Sequence, residues 1–310
     1  IRPPIEEITK LLRDGIIPAV VYDGAFLRVR PATEGSYVAI SHVWADGMGS
    51  TTEDGLPACV VKRIASLVQG LHPETGAFWM DSLCVPDSRD VRKRAIKLMT
   101  QTYRDAASVL VIDNCIRAQC SEKKPWDENL FGISTSGWTR RVWTLQEGLL
   151  NSRLYFEFQE GPVNIEDQGM TFIWCLSHLP FLSFRARYDV WKADATLDTF
   201  RWELISLLIL RGTTKAEDET VAISGILSLN VDAFLAINGP DAAQERMKEF
   251  LIQLARVPRV LPVHTMPRLE LPGFLWAPRS LTTVPPGAFR DDSGGQAFCA
   301  PFGLLGEYFI

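Results

Sequence analysis

Short apolar runs separated by longer stretches of helical periodicity dominate the first half of the chain. Residues 37–41 (YVAIS), 77–81 (AFWMD) and 108–113 (SVLVID) are β-branched or aromatic runs that each end in a polar residue, and they predict strands. Between them, residues 56–71 set Val61, Ile64, Ala65 and Val68 on one helical face, and residues 88–106 repeat Val91, Ala95, Leu98 and Tyr103. Residues 114–136 are polar, contain proline and read as a loop, residues 137–150 (GWTRRVWTLQEGLL) as an amphipathic helix, and residues 153–158 (RLYFEF) as a fourth strand. Alternation of this kind predicts the α/β class, an open parallel sheet with flanking helices and strand order 2-1-3-4.

The second half changes character. Residues 199–212, 217–229 and 241–256 read as helices, the second with an acidic first turn that suits the helix dipole. Seven prolines fall between Pro258 and Pro286, so that stretch predicts extended segments laid across a scaffold. A boundary near residue 160 is expected, with an α/β domain over 1–160 and a mainly helical, Pro-rich region over 161–310 packed on it.

With 310 residues, 46% hydrophobic, the chain can bury a sizeable core. A net charge of −5 gives no broad field for a polyanion, and the basic clusters (Arg92, Lys93, Arg94; Arg140, Arg141) are short, so nucleic acid is not an expected partner. A small anionic ligand in a local basic pocket stays open. Six irregularly spaced cysteines suggest free thiols in a reducing compartment, hence a cytoplasmic protein. No stretch approaches the roughly 18 apolar residues of a membrane span, so no signal or membrane anchor is expected. The first residue is Ile1 rather than Met, which suggests a processed form or a segment of something longer. His42, His72, His178 and His264 are scattered, the Gly-rich dinucleotide and phosphate-loop patterns are missing, and there is no nucleophile elbow, so no metal and no resident cofactor are expected.

In an open α/β sheet, ligands sit beyond the carboxyl ends of the strands, where strand order reverses. For order 2-1-3 that crevice lies between the first and third strands. The first strand delivers Ser41, His42, Trp44 and Asp46 to its mouth, followed by Gly47 and Gly49, and the second delivers Asp81, Ser82 and Cys84. On the helix expected over 137–150, Trp138, Val142, Leu145 and Leu149 line one side, while Arg140, Trp143 and Glu147 share the other. Each has a plainer alternative: His42 as a satisfied core histidine, Cys84 as a buried unreactive thiol, Asp81 as a tie for loop amides, Arg140 and Glu147 as a surface pair, Trp44 and Trp143 as rim aromatics. Paired flat rings beside a carboxylate also suit a heteroaromatic ligand. Ser41 and His42 point to opposite faces, which argues against a nucleophile and base pair.

The blocks YVAISHVWADGMG, FWMDSLCVP, AIKLMTQTYRDAASVLVID and GWTRRVWTLQEGLL, in this order, resemble those of the fungal heterokaryon-incompatibility (HET) domain over about residues 37–150. The resemblance implies a programmed cell-death effector acting when unlike fungal cells fuse, with a distant kinship to Toll/interleukin-receptor (TIR) domains and so a TIR/flavodoxin-like sheet. Many TIR domains carry Trp-Cys-x-x-Glu on the helix after the third strand, whose glutamate serves NAD cleavage. Trp143 and Glu147 match that step, with Thr144 in place of the cysteine. Kinship then implies Glu147 as the catalytic carboxylate of an NAD or nucleotide N-glycohydrolase, with Arg140 on a pyrophosphate and Trp44 or Trp143 stacked on a base. NAD would be substrate, not cofactor. The other route is a non-catalytic module that signals by self-association.

Overall fold

The computed structural model describes residues 1–168, 198–209, 211–285 and 295–308, together with 180, 181, 184, 185 and 188. Contacts within the chain divide it into two compact units, Ile1–Thr139 with Glu147–Cys175, and Arg140–Gln146 with Leu176–Ile310.

The first unit is built on a seven-stranded sheet in the order β2-β1-β4-β3-β5-β6-β7. Its strands are β1 (Pro18–Tyr22), β2 (Leu27–Pro31), β3 (Val38–His42), β4 (Ala77–Trp79), β5 (Ser108–Ile112), β6 (Leu154–Glu157) and β7 (Pro162–Asn164). The four strands expected from sequence are β3, β4, β5 and β6, mutually parallel and in the anticipated order 2-1-3-4. Sequence reading missed the flanks. A hairpin of β1 and β2 adds antiparallel to β4 on one side, and β7 adds antiparallel to β6 on the other. Val38, Ala39 and Ile40 on β3 and Val109, Leu110 and Val111 on β5 are all fully buried, as strands covered on both faces must be.

Helices α1 (Ile5–Arg13), α2 (Ala58–Leu71), α3 (Asp81–Cys84) and α4 (Arg89–Asp105) flank the sheet. The apolar stripe of α2 buries Val61, Ile64 and Val68, and that of α4 buries Val91, Ala95, Met99 and Tyr103, close to the predicted positions. The register pairs Ser41 with Val111 and Val111 with Phe156, so these three share one face, and His42, Ile112 and Glu157 share the other. On the Ser41 face, the Tyr37 hydroxyl donates to the Thr102 carbonyl of α4 at 2.6 Å, and Trp79 meets Tyr103 edge to face at 5.5 Å. Opposite, Arg63 of α2 donates to the buried carboxylate of Glu157.

Two expectations need correction. Residues 114–136 are not a loop: they form α5 (Asn114–Gln119) and α6 (Trp126–Thr135). Asp113 caps α5, accepting from the Cys115 and Ile116 amides at 2.7 and 3.0 Å, and α6 buries Leu130 and Ile133. Nor is 137–150 one helix, since α7 spans only Thr144–Leu149. The preceding backbone is committed elsewhere. Asp113 takes the Trp138 amide at 2.8 Å, while Gly212 donates to the Arg140 carbonyl at 2.7 Å and accepts from the Val142 amide at 3.0 Å.

The second unit contains helices Asp198–Ser206, Asp218–Ser224, Val231–Ala236 and Ala242–Leu254, and an antiparallel sheet of β8 (Arg256–Pro258), β9 (Gln296–Ala300) and β10 (Gly303–Leu305). Up to Pro285 the Pro-rich stretch forms turns, a short 3-10 turn at Leu261–Val263 and a bridge between Arg268 and Pro278; Pro286 lies outside the described residues. Arg211, almost fully buried, fastens the segment before α7. Its guanidinium donates to the Arg141 carbonyl at 2.8 Å, the Thr144 hydroxyl at 3.1 Å and the Leu207 carbonyl at 2.9 Å.

Candidate functional site

The carboxyl ends of β3, β4 and β5 gather most of the residues anticipated from sequence, and they do so in two sets on opposite faces of the sheet. On the first face, Ser41 at the end of β3 donates its hydroxyl to Glu147 of α7, and the Trp138 indole N–H donates to the same Ser41 oxygen at 2.6 Å. Indole, hydroxyl and carboxylate form a relay. Ser41 and Trp138 are fully buried and Glu147 is only 7% exposed, so the carboxylate is recessed beneath the surface. Phe156 meets Trp138 edge to face at 5.3 Å and fixes the ring that orients Ser41. Asp113 at the end of β5 holds the turn carrying Trp138 through its amide. Sequence reasoning assigned Trp138 to apolar packing alone. The missed signal was its N–H, which must find an acceptor when the ring is buried.

On the second face, the His42 imidazole, 4% exposed, bonds Asp81 Oδ1 through Nε2 at 2.6 Å. Asp81 also accepts from the Trp44 indole N–H at 2.8 Å and from the Ser82 amide at 2.7 Å. Burial would raise the Asp81 carboxyl, but the charge and hydrogen bond of His42, with those of Trp44 and Ser82, outweigh it and hold the group down to about 2. Asp81 therefore stays ionised and ties three elements together. Ser82 sits 3.5 Å from the same His42 nitrogen and gives its hydroxyl to the Met48 carbonyl at 2.7 Å, so it is not set up as a nucleophile. Cys84 is fully buried, and burial pushes its thiol up to about 12, which keeps it protonated. Its plainer reading as an unreactive core thiol fits that environment.

The remaining candidates are Asp46, Arg140 and Trp143. Asp46 accepts from the Asn114 amide at 2.7 Å, tying the loop after β3 to the start of α5. Arg140 and Trp143 fall in the turns before α7, so the helical spacing that was to align them with Glu147 does not apply. Both group with the second unit, where the Trp143 indole donates to Asp218 at 3.4 Å. Among the described residues no cluster of three or more His, Cys, Asp or Glu could hold a metal ion. No helix among them is long and apolar enough to cross a membrane.

Fold and site together define an open α/β protein with its polar and aromatic side chains collected at the carboxyl ends of the parallel strands. Within that class, residues 37–122 match the family model described as Heterokaryon incompatibility protein (HET), which covers the first three of the four sequence blocks and supports a role in fungal incompatibility and cell death. The matched span runs from just before β3 past α5 and stops short of Trp138 and Glu147. No curated protein and no solved structure matches the chain.

Proposed function

We propose that this HET-type protein acts in cell death by hydrolysing NAD or a related nucleotide at its N-glycosidic bond, with Glu147 as the catalytic carboxylate. The observation that carries the proposal is the contact of Glu147 with Ser41, which ties the acid to the carboxyl end of a central parallel strand, where α/β sheets receive ligands. The Trp143-to-Glu147 step, which resembles the TIR pattern, points to the same glutamate.

One carboxylate is sufficient for this chemistry. The departing pyridinium is already cationic and leaves neutral, so no general acid is needed, unlike an O-glycoside with its two carboxylates. A recessed glutamate stabilises the oxocarbenium-like ribosyl centre more strongly than one in bulk water, and it can orient the attacking water. Ser41 and Trp138 act through Glu147 as positioning residues, locking its rotamer from below.

The test is expression of the wild-type chain and Glu147→Gln in a host whose growth and NAD content are followed together. Loss of both killing and NAD depletion in the variant, at equal protein level, is the expected result. Killing by Glu147→Gln with wild-type potency would leave self-association as the mode of action.

A further inference from the structure

Trp44 differs from the other aromatic side chains at the strand ends in being held firmly yet left open. Trp79 and Trp138 are 2% and 0% exposed, whereas Trp44 is 40% exposed at the exit of β3. Three restraints fix it. Its indole N–H is bound to Asp81 at 2.8 Å, and its carbonyl accepts from the Gly49 amide at 3.2 Å. Its ring lies against Gly49 so closely that a Cβ there would meet Trp44 Cδ2 and Cε3 at 3.0 Å. A glycine at that position lets the backbone serve as a backstop to the indole. An exposed ring whose orientation is already set loses little entropy on meeting a flat ligand.

The surroundings select the charge of that ligand. Asp81 remains ionised at the edge of the ring. The two segments that frame Trp44, residues 43–57 and 80–88, the second holding α3, contain Asp46, Glu53, Asp54, Asp81 and Asp87 but no lysine or arginine, against which stand the His42 imidazole at Asp81 and the Ile1 amino group at the Leu56 carbonyl. A phosphate would be repelled from such a rim, while a cation over an indole face is attracted by the ring quadrupole. A neutral base would gain the stacking alone.

We infer that Trp44, backed by Gly49 and edged by Asp81, is a seat for a planar cationic ring. The inference rests on the nucleotide-cleaving reading only for the choice of a pyridinium as the ring, and it adds to that reading a second, separate aromatic site. His42 and Ser82 act on the seat through Asp81 as positioning residues.

The experiment uses the whole chain labelled with 15N in its tryptophan indoles, the Trp44 resonance being assigned by its loss in Trp44→Phe. Cationic N-methylnicotinamide and neutral nicotinamide are titrated separately. The Trp44 signal should shift with both, at a Kd about tenfold lower for the cation. Asp81→Asn should narrow that difference, and Gly49→Ala, which displaces the ring without touching its chemistry, should weaken both ligands. Equal affinity for cation and neutral ring, or shifts that leave Trp44 unmoved, overturns the seat. Glu147→Gln separates the two claims. A Trp44 shift retained in that variant, beside wild-type protein that releases no nicotinamide from NAD, would sink the hydrolysis and leave the seat standing; turnover without any Trp44 shift would do the reverse.

Discussion

Ser41→Ala removes the central atom of the relay that joins Trp138 to Glu147, and its cost can be worked from the contacts it breaks. Two hydrogen bonds disappear: one from the serine hydroxyl to a carboxylate, one from the indole N–H to the serine oxygen. A hydrogen bond to a charged group contributes about 1.5–3 kcal/mol, and a buried donor left unmade costs about 1–3 kcal/mol. All three residues are at least nine-tenths buried, so water replaces neither contact cheaply. The losses overlap, because the cavity left by one oxygen atom is common to both, and a net destabilisation of about 3 kcal/mol follows. For a folding unit of this size that lowers Tm by about 6–12 °C. The assay is thermal and urea unfolding followed by near-ultraviolet circular dichroism, with Ser36→Ala, on the exposed residue before Tyr37, as a control expected within about 0.5 kcal/mol of wild type. Trp138→Phe supplies the companion measurement. Once the indole N–H is gone, Ser41→Ala orphans one group fewer, so the double variant should be less damaged than the sum of the singles by about 1 kcal/mol. Strict additivity, or a Ser41→Ala protein as stable as the control, would refute the relay.

Other consequences are open to direct measurement. Asp81 lies well below its ordinary 3.8, at about 2. A carboxyl whose folded value is depressed adds stability that is complete above the unfolded value and is lost as pH falls. The loss should fall between about pH 4 and pH 2 and amount to about 2 kcal/mol. Asp81→Asn should flatten the acid limb of a Tm against pH curve, and an unchanged limb would show that the His42 and Trp44 contacts do not form. Cys59 is exposed and Cys84 fully buried with its thiol pushed up to about 12. Alkylation near pH 8 followed by peptide mass spectrometry should therefore modify Cys59 first, and equal rates would contradict the packing around α3. In the second unit, Arg211→Ala should release the Arg141 carbonyl and Thr144 hydroxyl and raise amide exchange of the Val142 N–H, with about 2 kcal/mol lost. Exchange unaltered at Val142 would mean that Gly212 holds the segment alone.

The parallel core of the fold was legible in the sequence because its strands are covered on both faces and read as continuous apolar runs between helices of clear periodicity. Strand order followed from the chain rules for such sheets. The β1 and β2 hairpin escaped although Asp23 and Gly24 sit at its tip between Val20, Val21 and Leu27, a turn signal that the stronger periodicity downstream overshadowed. α5 escaped because its capping residue, Asp113, closes the preceding strand, so strand end and helix start coincide on one residue. Residues 137–143 show the opposite failure. Their helical periodicity is real, but long-range pairing with Gly212 claims the same backbone groups, and no window of local sequence contains that partner. At the site, the four residues at the end of β3 and the three following β4 were placed by topology alone. Ser41 meeting Glu147 depends on tertiary packing, and so does the separation of His42 and Ser41 into two sets once partners from other elements are added.

The most direct measurement is nicotinamide release from NAD by concentrated, purified protein, followed by chromatography, for the wild type and for Glu147→Gln at matched fold stability. Catalysis by a preorganised carboxylate predicts release by the wild type and a fall of about 100-fold or more in the variant. Equal rates from the two proteins, or release by neither under conditions where the wild type kills cells, would contradict the assignment of Glu147.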